Sequence, residues 1–236
     1  SSSTDNSFLV VNDWIKENQV KFVTKFTNID KSTKNPGSSK NIGIKMSKTK
    51  WIAFMDCGQK FRLDWIDRQI NHINSNNIDV SFGVVYLKGV NWVDRCAIAQ
   101  TYGYRRMRAC VPGTLLNKKV FDITGLFLEG RRSGYDMTWQ SKVRKVIEKY
   151  DVNIQSRIEY EGVNFSNTLL GLYKKSILYS RTALGLKGYN TPYYYIFFLI
   201  LLIWLSFSLP KLLIPILISY IVFRILLLPI YKSKAI

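Results

Sequence analysis

Histidine and cysteine are scarce in this 236-residue chain, which has one histidine, His72, and three cysteines. A hydrolase of the Ser-His-Asp type needs a histidine beside its nucleophile, but His72 lies among asparagines in a predicted helix. Zinc and redox motifs need several ligands or thiols at short, fixed spacings, and Cys57, Cys96 and Cys110 have no such spacing. The sequence therefore excludes these site types, and an odd number of thiols favours a reducing compartment.

Acidic residues are missing from the last part of the chain, since none follows Glu161. Over the whole chain, 34 Lys and Arg stand against 16 Asp and Glu, a net charge of +18. The sequence shows no helix-turn-helix pattern, zinc spacing or RNP-like aromatic motif, so we expect no nucleic-acid partner. Anionic lipid head groups, a nucleotide-linked compound or a pyrophosphate-bearing lipid explain the charge equally well.

Charged residues are also absent from 193–209, which reads YYYIFFLILLIWLSFSL. A second apolar run, LLIPILISYIVFRILLLPI at 212–230, contains one charge, Arg224. Runs of about 20 apolar residues cross a bilayer as helices, and basic residues flanking them favour the cytoplasmic side. We predict a two-helix transmembrane hairpin with both ends in the cytoplasm. The basic, amphipathic segment before it, 167–185, is typical of a helix on the membrane surface.

Before that segment, apolar periodicity alternates between helix and strand. The predicted helices are 6–18, 38–47, 63–74 and 137–150, and the predicted strands are 20–26, 51–55, 80–87 and 152–158. This alternation predicts an α/β sheet with parallel crossovers, in which ligands bind beyond the carboxyl ends of strands. Asp56 follows such a strand. The segment 111–113, Val-Pro-Gly, is predicted to begin a turn.

Four motifs in order carry a family resemblance. They are SSSTD at the start, PGSSKNIG at 36–43, WIAFMDCGQKFRLDWIDRQI at 51–70, and VPGTLLNKKVFDITGLF at 111–127 followed by GYDMTWQSKVRK at 134–145. In this order they resemble the family 2 glycosyltransferases with the GT-A fold, over about residues 1–150. The resemblance implies a GT-A-like, Rossmann-related mixed sheet flanked by helices, and it suggests that a strand or two are missing before Ser1.

The donor side of the site rests on this resemblance. Alone, Asp56 is either a turn residue or a hard oxygen ligand. The resemblance implies that Asp56 holds Mg²⁺ or Mn²⁺ against a donor diphosphate, with Gly58 where a second carboxylate is common. It also implies donor contacts for Asp5, for Lys40, which stands where Arg is usual, and for Asn41. The alternatives are a helix cap for Asp5, a solvated side chain for Lys40 and a local hydrogen bond for Asn41.

Asp136 opens a predicted helix after Gly134, so it is either an N-cap or a general base. The resemblance implies the base, which deprotonates an acceptor hydroxyl in an inverting displacement. Tyr135 stands where the family has a glutamate.

The resemblance implies that Gly113 and Thr114 belong to the acceptor side, and Arg108 is predicted to lie there too. Arg108 belongs to a basic run that either binds a lipid pyrophosphate or lies in a solvated loop. No sequence feature indicates an oligomer.

These expectations divide the chain into a GT-A-like domain at 1–160, a membrane-interface helix at 161–190 and a transmembrane hairpin at 191–231. They predict a multi-pass membrane glycosyltransferase of hexosyltransferase type with a cytoplasmic catalytic domain, in the inner membrane if bacterial. Such an enzyme moves a sugar from a nucleoside-diphosphate donor to a lipid-linked or surface-polysaccharide acceptor. The alternative is an inactive relative that scaffolds polysaccharide assembly, because Gly58 and Tyr135 both replace acids.

Overall fold

A computed structural model of the protein describes residues 6–18, 35–163, 166–183, 186 and 191–234. The predicted strand at 20–26, the candidate helix caps before residue 6 and the predicted site residue Asp5 lie outside these residues.

Six strands of the described chain form one mixed sheet. They are β1 Trp51–Ala53, β2 Gln59–Lys60, β3 Val80–Gly89, β4 Met107–Asn117, β5 Tyr150–Val152 and β6 Ile158–Val163. The order is β1-β4-β3-β6-β2, and β5 pairs with the first half of β3. β4 runs antiparallel to β1 and β3, whereas β5 and β6 run parallel to β3. The mixed sheet implied by the resemblance is confirmed. The predicted parallel connections are present where β5 and β6 pair with β3, whereas β4 is antiparallel to both of its neighbours.

Helices flank the sheet and continue beyond it. They are α1 Ser7–Glu17, α2 Pro36–Met46, α3 Trp65–Asn76, α4 Trp92–Tyr102, α5 Val120–Thr124, α6 Tyr135–Val146, α7 Leu169–Ala183, α8 Thr191–Ser208, α9 Pro210–Val222 and α10 Leu228–Lys234. A π turn, Phe223–Leu227, joins α9 to α10. The sequence did not predict α4, because its buried face includes a charged residue, Asp94, and so lacks a clear apolar stripe.

Two predicted elements differ from the structure. The segment 111–113 lies inside β4 rather than in a turn, because Gly113 has φ +78° and lets the strand bulge against β3. A Cβ on Gly83 of β3 would lie 2.3 Å from the Gly113 carbonyl carbon, so the two strands need glycine at this crossing. The single strand predicted at 152–158 is instead β5 and β6, separated by a 3₁₀ turn, Ile154–Ser156.

The main core lies between the sheet and helices α2, α5 and α6. At its centre are four aromatic side chains whose neighbouring ring centroids lie 5.0–6.4 Å apart, Phe82, Phe121, Phe127 and Trp139. The opposite face of the sheet is covered by α4 through Ile98. This core fixes the start of α6, which carries Asp136, relative to the end of β1.

The periodicity of residues 63–74 predicts that Trp65, Ile66, Ile70 and Ile73 face inward, but this face is rotated in the structure. Trp65, Gln69 and Ile73 are buried at i, i+4 and i+8, whereas Ile66 and Ile70 are exposed. Gln69 takes a core position because its amide has partners there: Nε2 donates to the Gly113 carbonyl at 2.8 Å, and Oε1 accepts from the Ser81 hydroxyl.

The C-terminal helices support the predicted hairpin only in part. In the described chain, one helix, Lys211–Lys234, is long and apolar enough to cross a membrane, with a mean hydropathy of 2.4, and Ile196–Ser208 is a shorter apolar helix. The two helices pack together, with the Phe198 and Tyr220 rings stacked at 4.5 Å. A second crossing, the orientation and the domain boundaries stay predictions.

Candidate active site

Asp56 follows an extension of β1 that continues the pairing with β4. The Phe54 N–H donates to the Thr114 carbonyl at 3.0 Å, and the Phe54 carbonyl accepts from the Gly113 N–H at 2.6 Å. The chain then turns at Asp56, whose N–H donates to Gln59 Oε1 at 2.9 Å. The predicted placement of Asp56 beyond the end of a buried strand is therefore what the structure shows.

The turn after Asp56 favours glycine at the position where a second carboxylate is common. Gly58 has φ +79°, a conformation that costs a residue with a side chain about 1–2 kcal/mol. A Cβ there would also contact the Tyr160 ring at 3.6 Å. Tyr160 holds the turn from β6, because its hydroxyl donates to the Cys57 carbonyl at 3.0 Å.

Lys40 forms an ion pair with Asp56. Its Nζ lies 2.8 Å from Asp56 Oδ1, and the side chains are 14% and 32% exposed. Lys40 is therefore not a solvated lysine. It brings a positive charge to the carboxylate at the place where the resemblance implies a diphosphate.

Asn41, the next residue of α2, has a different environment. It is buried, and its amide donates to the Phe127 carbonyl at 2.9 Å and to Glu129 Oε1 at 2.7 Å, while its Oδ1 accepts from the Phe127 N–H at 2.9 Å. These bonds hold the segment that follows α5 against α2. A direct donor contact by Asn41 stays a prediction, and the contacts favour an indirect role.

Asp136 lies in the first turn of α6, where the positive end of the helix dipole favours a carboxylate. The N-cap position itself is taken by Gly134, which has a left-handed φ of +81°. Leu186 covers this glycine, since a Cβ on Gly134 would lie 2.3 Å from Leu186 Cδ1. The alternative of Asp136 as the N-cap is therefore wrong.

Asp56 and Asp136 both lie near Cys110 and Tyr135, and we call the space between these four residues the cleft. Burial raises the pKa of the Cys110 thiol, and the charges of Asp136 and Asp56 both raise it further. The pKa of the Tyr135 hydroxyl is raised by burial and by the same two carboxylates. Because both carboxylates act on Cys110 and Tyr135, they must lie near both groups. A raised pKa also keeps Cys110 a neutral thiol, which makes it unsuited to act as a nucleophile.

Two residues predicted on the acceptor side have structural roles in the strands. Thr114 is fully buried, and its hydroxyl donates to the Cys110 carbonyl at 2.8 Å and accepts from the Gly83 N–H at 3.1 Å. Gly113 forms the bulge of β4. Acceptor contact by Gly113 or Thr114 stays a prediction that these contacts do not favour.

Arg108 lies on β4, shortly before Cys110. Its guanidinium is 6.0 Å from the Tyr102 ring centroid, so it lies beside the aromatic end of α4. With α6 side chains that include Arg144 and Lys145, it lines a basic cavity of about 350 Å³. Burial raises the pKa of Tyr102 to about 12, with smaller contributions that include the Asp136 charge. The sequence did not predict Tyr102 or Tyr160 at the site, although Tyr102 lies shortly before the basic run that contains Arg108.

The described residues supply no complete metal cage. They contain no group of three or more His, Cys, Asp or Glu side chains that could hold a metal ion. One oxygen of Asp56 is paired with Lys40. The arrangement fits a divalent cation only where donor phosphate oxygens provide most of the ligands.

A mixed sheet with a strand-end carboxylate and a second carboxylate at a helix start defines a GT-A-like domain. The sequence profile of Glycosyl transferase family 2 matches residues 1–123, and the chain belongs to this family.

Solved structures of S. aureus TarS are similar in fold. TarS 1-349 in complex with UDP-GlcNAc has a TM-score of 0.50 at 17% identity, over 71% of this chain and 50% of that one. TarS 1-349 in complex with UDP has a TM-score of 0.49 at 16% identity, over 78% of this chain and 54% of that one. The chain thus spans about half the length of these structures. No curated protein sequence matches it.

Proposed function

We propose that the protein is a glycosyltransferase that moves a sugar from a nucleoside-diphosphate donor to a lipid-linked or surface-polysaccharide acceptor. The reaction is a single displacement that inverts the anomeric carbon. The observation that supports this most is that a chain of Glycosyl transferase family 2 has Asp56 at the end of a strand and Asp136 in the first turn of a helix, as such a site requires.

On the donor side, the Lys40–Asp56 pair receives the diphosphate. The ammonium of Lys40 can bind a phosphate oxygen while it stays beside Asp56, because it has three N–H donors. A divalent cation held by Asp56 and the diphosphate would offset the charge that develops on the leaving group. UDP is the nucleotide to test first, since the similar TarS structures contain UDP or UDP-GlcNAc.

On the acceptor side, Asp136 is the general base. It removes the proton of an acceptor hydroxyl as the oxygen attacks the anomeric carbon, and the sugar–phosphate bond breaks to release the nucleoside diphosphate. General base catalysis contributes about 10²–10⁴ in rate. Asp136 does this work alone, because Tyr135 packs into the core against Phe127, with ring centroids 5.9 Å apart.

The reaction takes place at a membrane. The helix Lys211–Lys234 anchors the chain, and α7 lies on the bilayer surface through exposed apolar side chains, which are Leu169, Leu170, Tyr173, Ile177 and Leu178. In this proposal the residues up to 160 form the catalytic domain on the cytoplasmic side, residues 161–190 lie at the interface, and residues 191–231 form a hairpin.

The test is nucleotide release from a panel of sugar nucleotides by the full chain in detergent, with Mg²⁺ or Mn²⁺. Asp136→Asn should lower turnover by about 10²-fold or more. Asp67→Asn is the matched control, because Asp67 is an exposed aspartate in the first turn of α3, a helix of the same length. Equal turnover of the Asp136 variant and the wild type would refute the assignment of the base.

The second candidate function is an inactive scaffold. The Lys40–Asp56 ion pair favours this candidate, because Lys40 is bound to one of the two Asp56 oxygens that a metal ion would need. Absence of turnover with every donor, together with a wild-type phenotype of Asp56→Ala in cells, would establish the scaffold instead.

A further inference from the structure

A groove runs between α8 and the helix formed by α9, the π turn and α10. Its volume is about 460 Å³, and its lining is aromatic and aliphatic apart from two basic side chains. The aromatic part is Tyr194, Phe197, Phe198, Tyr220 and Phe223. Arg224 and Lys232 provide two positive charges at the groove. We call this cavity the tail groove.

The positive charges continue from the tail groove towards the catalytic domain. Arg224 and Lys232 both line the tail groove and both contact Gln100 of α4, while Arg108 of β4 lies beside Tyr102 at the end of the same helix. The Lys232 ammonium donates one hydrogen bond to the Gln100 carbonyl, which leaves further N–H donors on this group. Positive side chains that lie near one another attract an anion, and guanidinium and ammonium groups bind phosphate oxygens well, so Arg108, Arg224 and Lys232 form a site suited to a phosphate group.

This cation cluster adjoins the catalytic cleft. Arg108 lies beside the Tyr102 ring, and it lines one cavity together with Met137, the residue that follows Asp136 in α6. A ligand held by Arg108 and Lys232 would therefore have one end near Asp136. Its other end would lie among the aromatic side chains of the tail groove.

The catalytic domain fixes the geometry of this region. Gln100 Nε2 donates to the Arg224 carbonyl at 2.6 Å, and the Tyr104 hydroxyl donates to the Ile225 carbonyl at 2.5 Å. Both carbonyls belong to the π turn, where the regular α-helical bonding pattern is interrupted. Residues at the end of α4 thus hold Arg224 in place relative to the cleft.

We propose that the tail groove and the Arg108–Arg224–Lys232 cluster bind the lipid part of the acceptor, a long hydrocarbon chain that ends in a phosphate or diphosphate ester. The diphosphate is held by the three cations, the hydrocarbon chain lies along the aromatic lining, and the sugar or hydroxyl beyond the phosphate reaches Asp136. This assignment rests on the proposed function, because it names the class of its acceptor.

The test is binding of geranylgeranyl diphosphate to the full chain in a neutral detergent, without any sugar nucleotide. The wild type should bind it saturably. The double variant R224Q/K232Q should bind at least about tenfold more weakly, since it loses charge-assisted hydrogen bonds to phosphate. K211Q is the matched control, because Lys211 lies at the opposite end of the same helix and should not affect binding.

A second pair of variants tests the hydrocarbon half and does not depend on the charged residues. Phe197→Gln changes a groove side chain that is 67% exposed, so folding should be retained. Phe207→Gln is its control, on the same helix, 85% exposed and outside the groove. Phe197→Gln should weaken binding of the lipid diphosphate but not of inorganic pyrophosphate, and Phe207→Gln should weaken neither.

Three outcomes would overturn the proposal. One is unchanged binding by R224Q/K232Q. Another is equal affinity for inorganic pyrophosphate, which would show that the groove contributes nothing. The third is equal competition by phosphatidylglycerol, which would make the groove a contact for bulk anionic lipid. Because the assay contains no sugar nucleotide, loss of lipid binding and loss of nucleotide release are separate results, and either proposal can fail alone.

Discussion

Gly113 is packed closely against Ile158, so a substitution at this glycine has a well-defined effect on stability. Gly113→Ala places a Cβ 2.0 Å from Ile158 Cδ1 at a φ of +78°. The left-handed backbone costs about 1–2 kcal/mol, and overpacking a buried contact costs about 1–3 kcal/mol more. We therefore expect the free energy of unfolding to fall by about 2–5 kcal/mol.

The second variant, Ile158→Val, separates these two causes. Alone, it should cost about 0.5–1.5 kcal/mol, because Ile158 is fully buried. Combined with Gly113→Ala, it removes Cδ1 and leaves Cγ1, which lies 3.0 Å from the added Cβ. The double variant should thus be more stable than the sum of the single changes predicts, by about 1 kcal/mol or more.

The measurement is urea unfolding of the full chain in detergent, followed by tryptophan fluorescence. Gly43→Ala is the control, because nothing lies within 4 Å of the Cβ it adds to α2. It should leave stability unchanged or raise it by up to about 1 kcal/mol. Additivity of Gly113→Ala and Ile158→Val within about 0.5 kcal/mol would refute the packing argument. Nucleotide release by the double variant then shows whether Gly113 affects activity only through the structure of β4 or also through contact with the acceptor.

The remaining predictions concern three side chains near the cleft. Lys40→Met should lower donor affinity about tenfold or more, since it removes the cation beside Asp56. Lys45→Met, on an exposed face of the same helix, should leave donor affinity unchanged. Equal affinities of the two variants in a nucleotide-binding titration would contradict a role of the ion pair in donor binding. Tyr160→Phe removes one hydrogen bond to the turn after Asp56 and should lower the free energy of unfolding by about 0.5–1.5 kcal/mol in the same assay. An unchanged free energy of unfolding would mean that this bond does not contribute to stability. The folded-state pKa of Tyr102, about 12, lies above its ordinary value, so its contribution to stability is present below pH about 10 and is lost as the pH rises towards 12. Tyr102→Phe should flatten that part of the pH profile, and an unchanged slope would contradict the burial of the phenol.

The sequence predicted the parts of the site that local patterns determine. A short apolar run ending at Asp56 and a glycine before Asp136 mark a strand end and a helix start, and the structure has both. The contact of Lys40 was harder to predict, because its partner Asp56 lies 16 positions away and the periodicity of α2 does not show which side chains lie near the end of β1.

Other parts of the fold depend on long-range contacts. The bulge in β4 arises from the approach of Gly83 and Gly113, which no local signal reveals, so a strand containing Pro-Gly was interpreted as a turn. The contacts of α4 with the π turn join residues more than 120 positions apart. Apolar runs predict helices that suit a membrane, but they do not show which carbonyls a catalytic domain will bind.

The central claim is that Asp56 serves donor binding and Asp136 serves the chemical step at one cleft. Its most direct test is to measure donor affinity by calorimetry and turnover by nucleotide release for Asp56→Asn and Asp136→Asn. We predict that Asp56→Asn weakens donor binding, whereas Asp136→Asn binds the donor as the wild type does and loses about 10²-fold or more in turnover. Wild-type turnover in Asp136→Asn, or wild-type donor affinity in Asp56→Asn, would contradict the account.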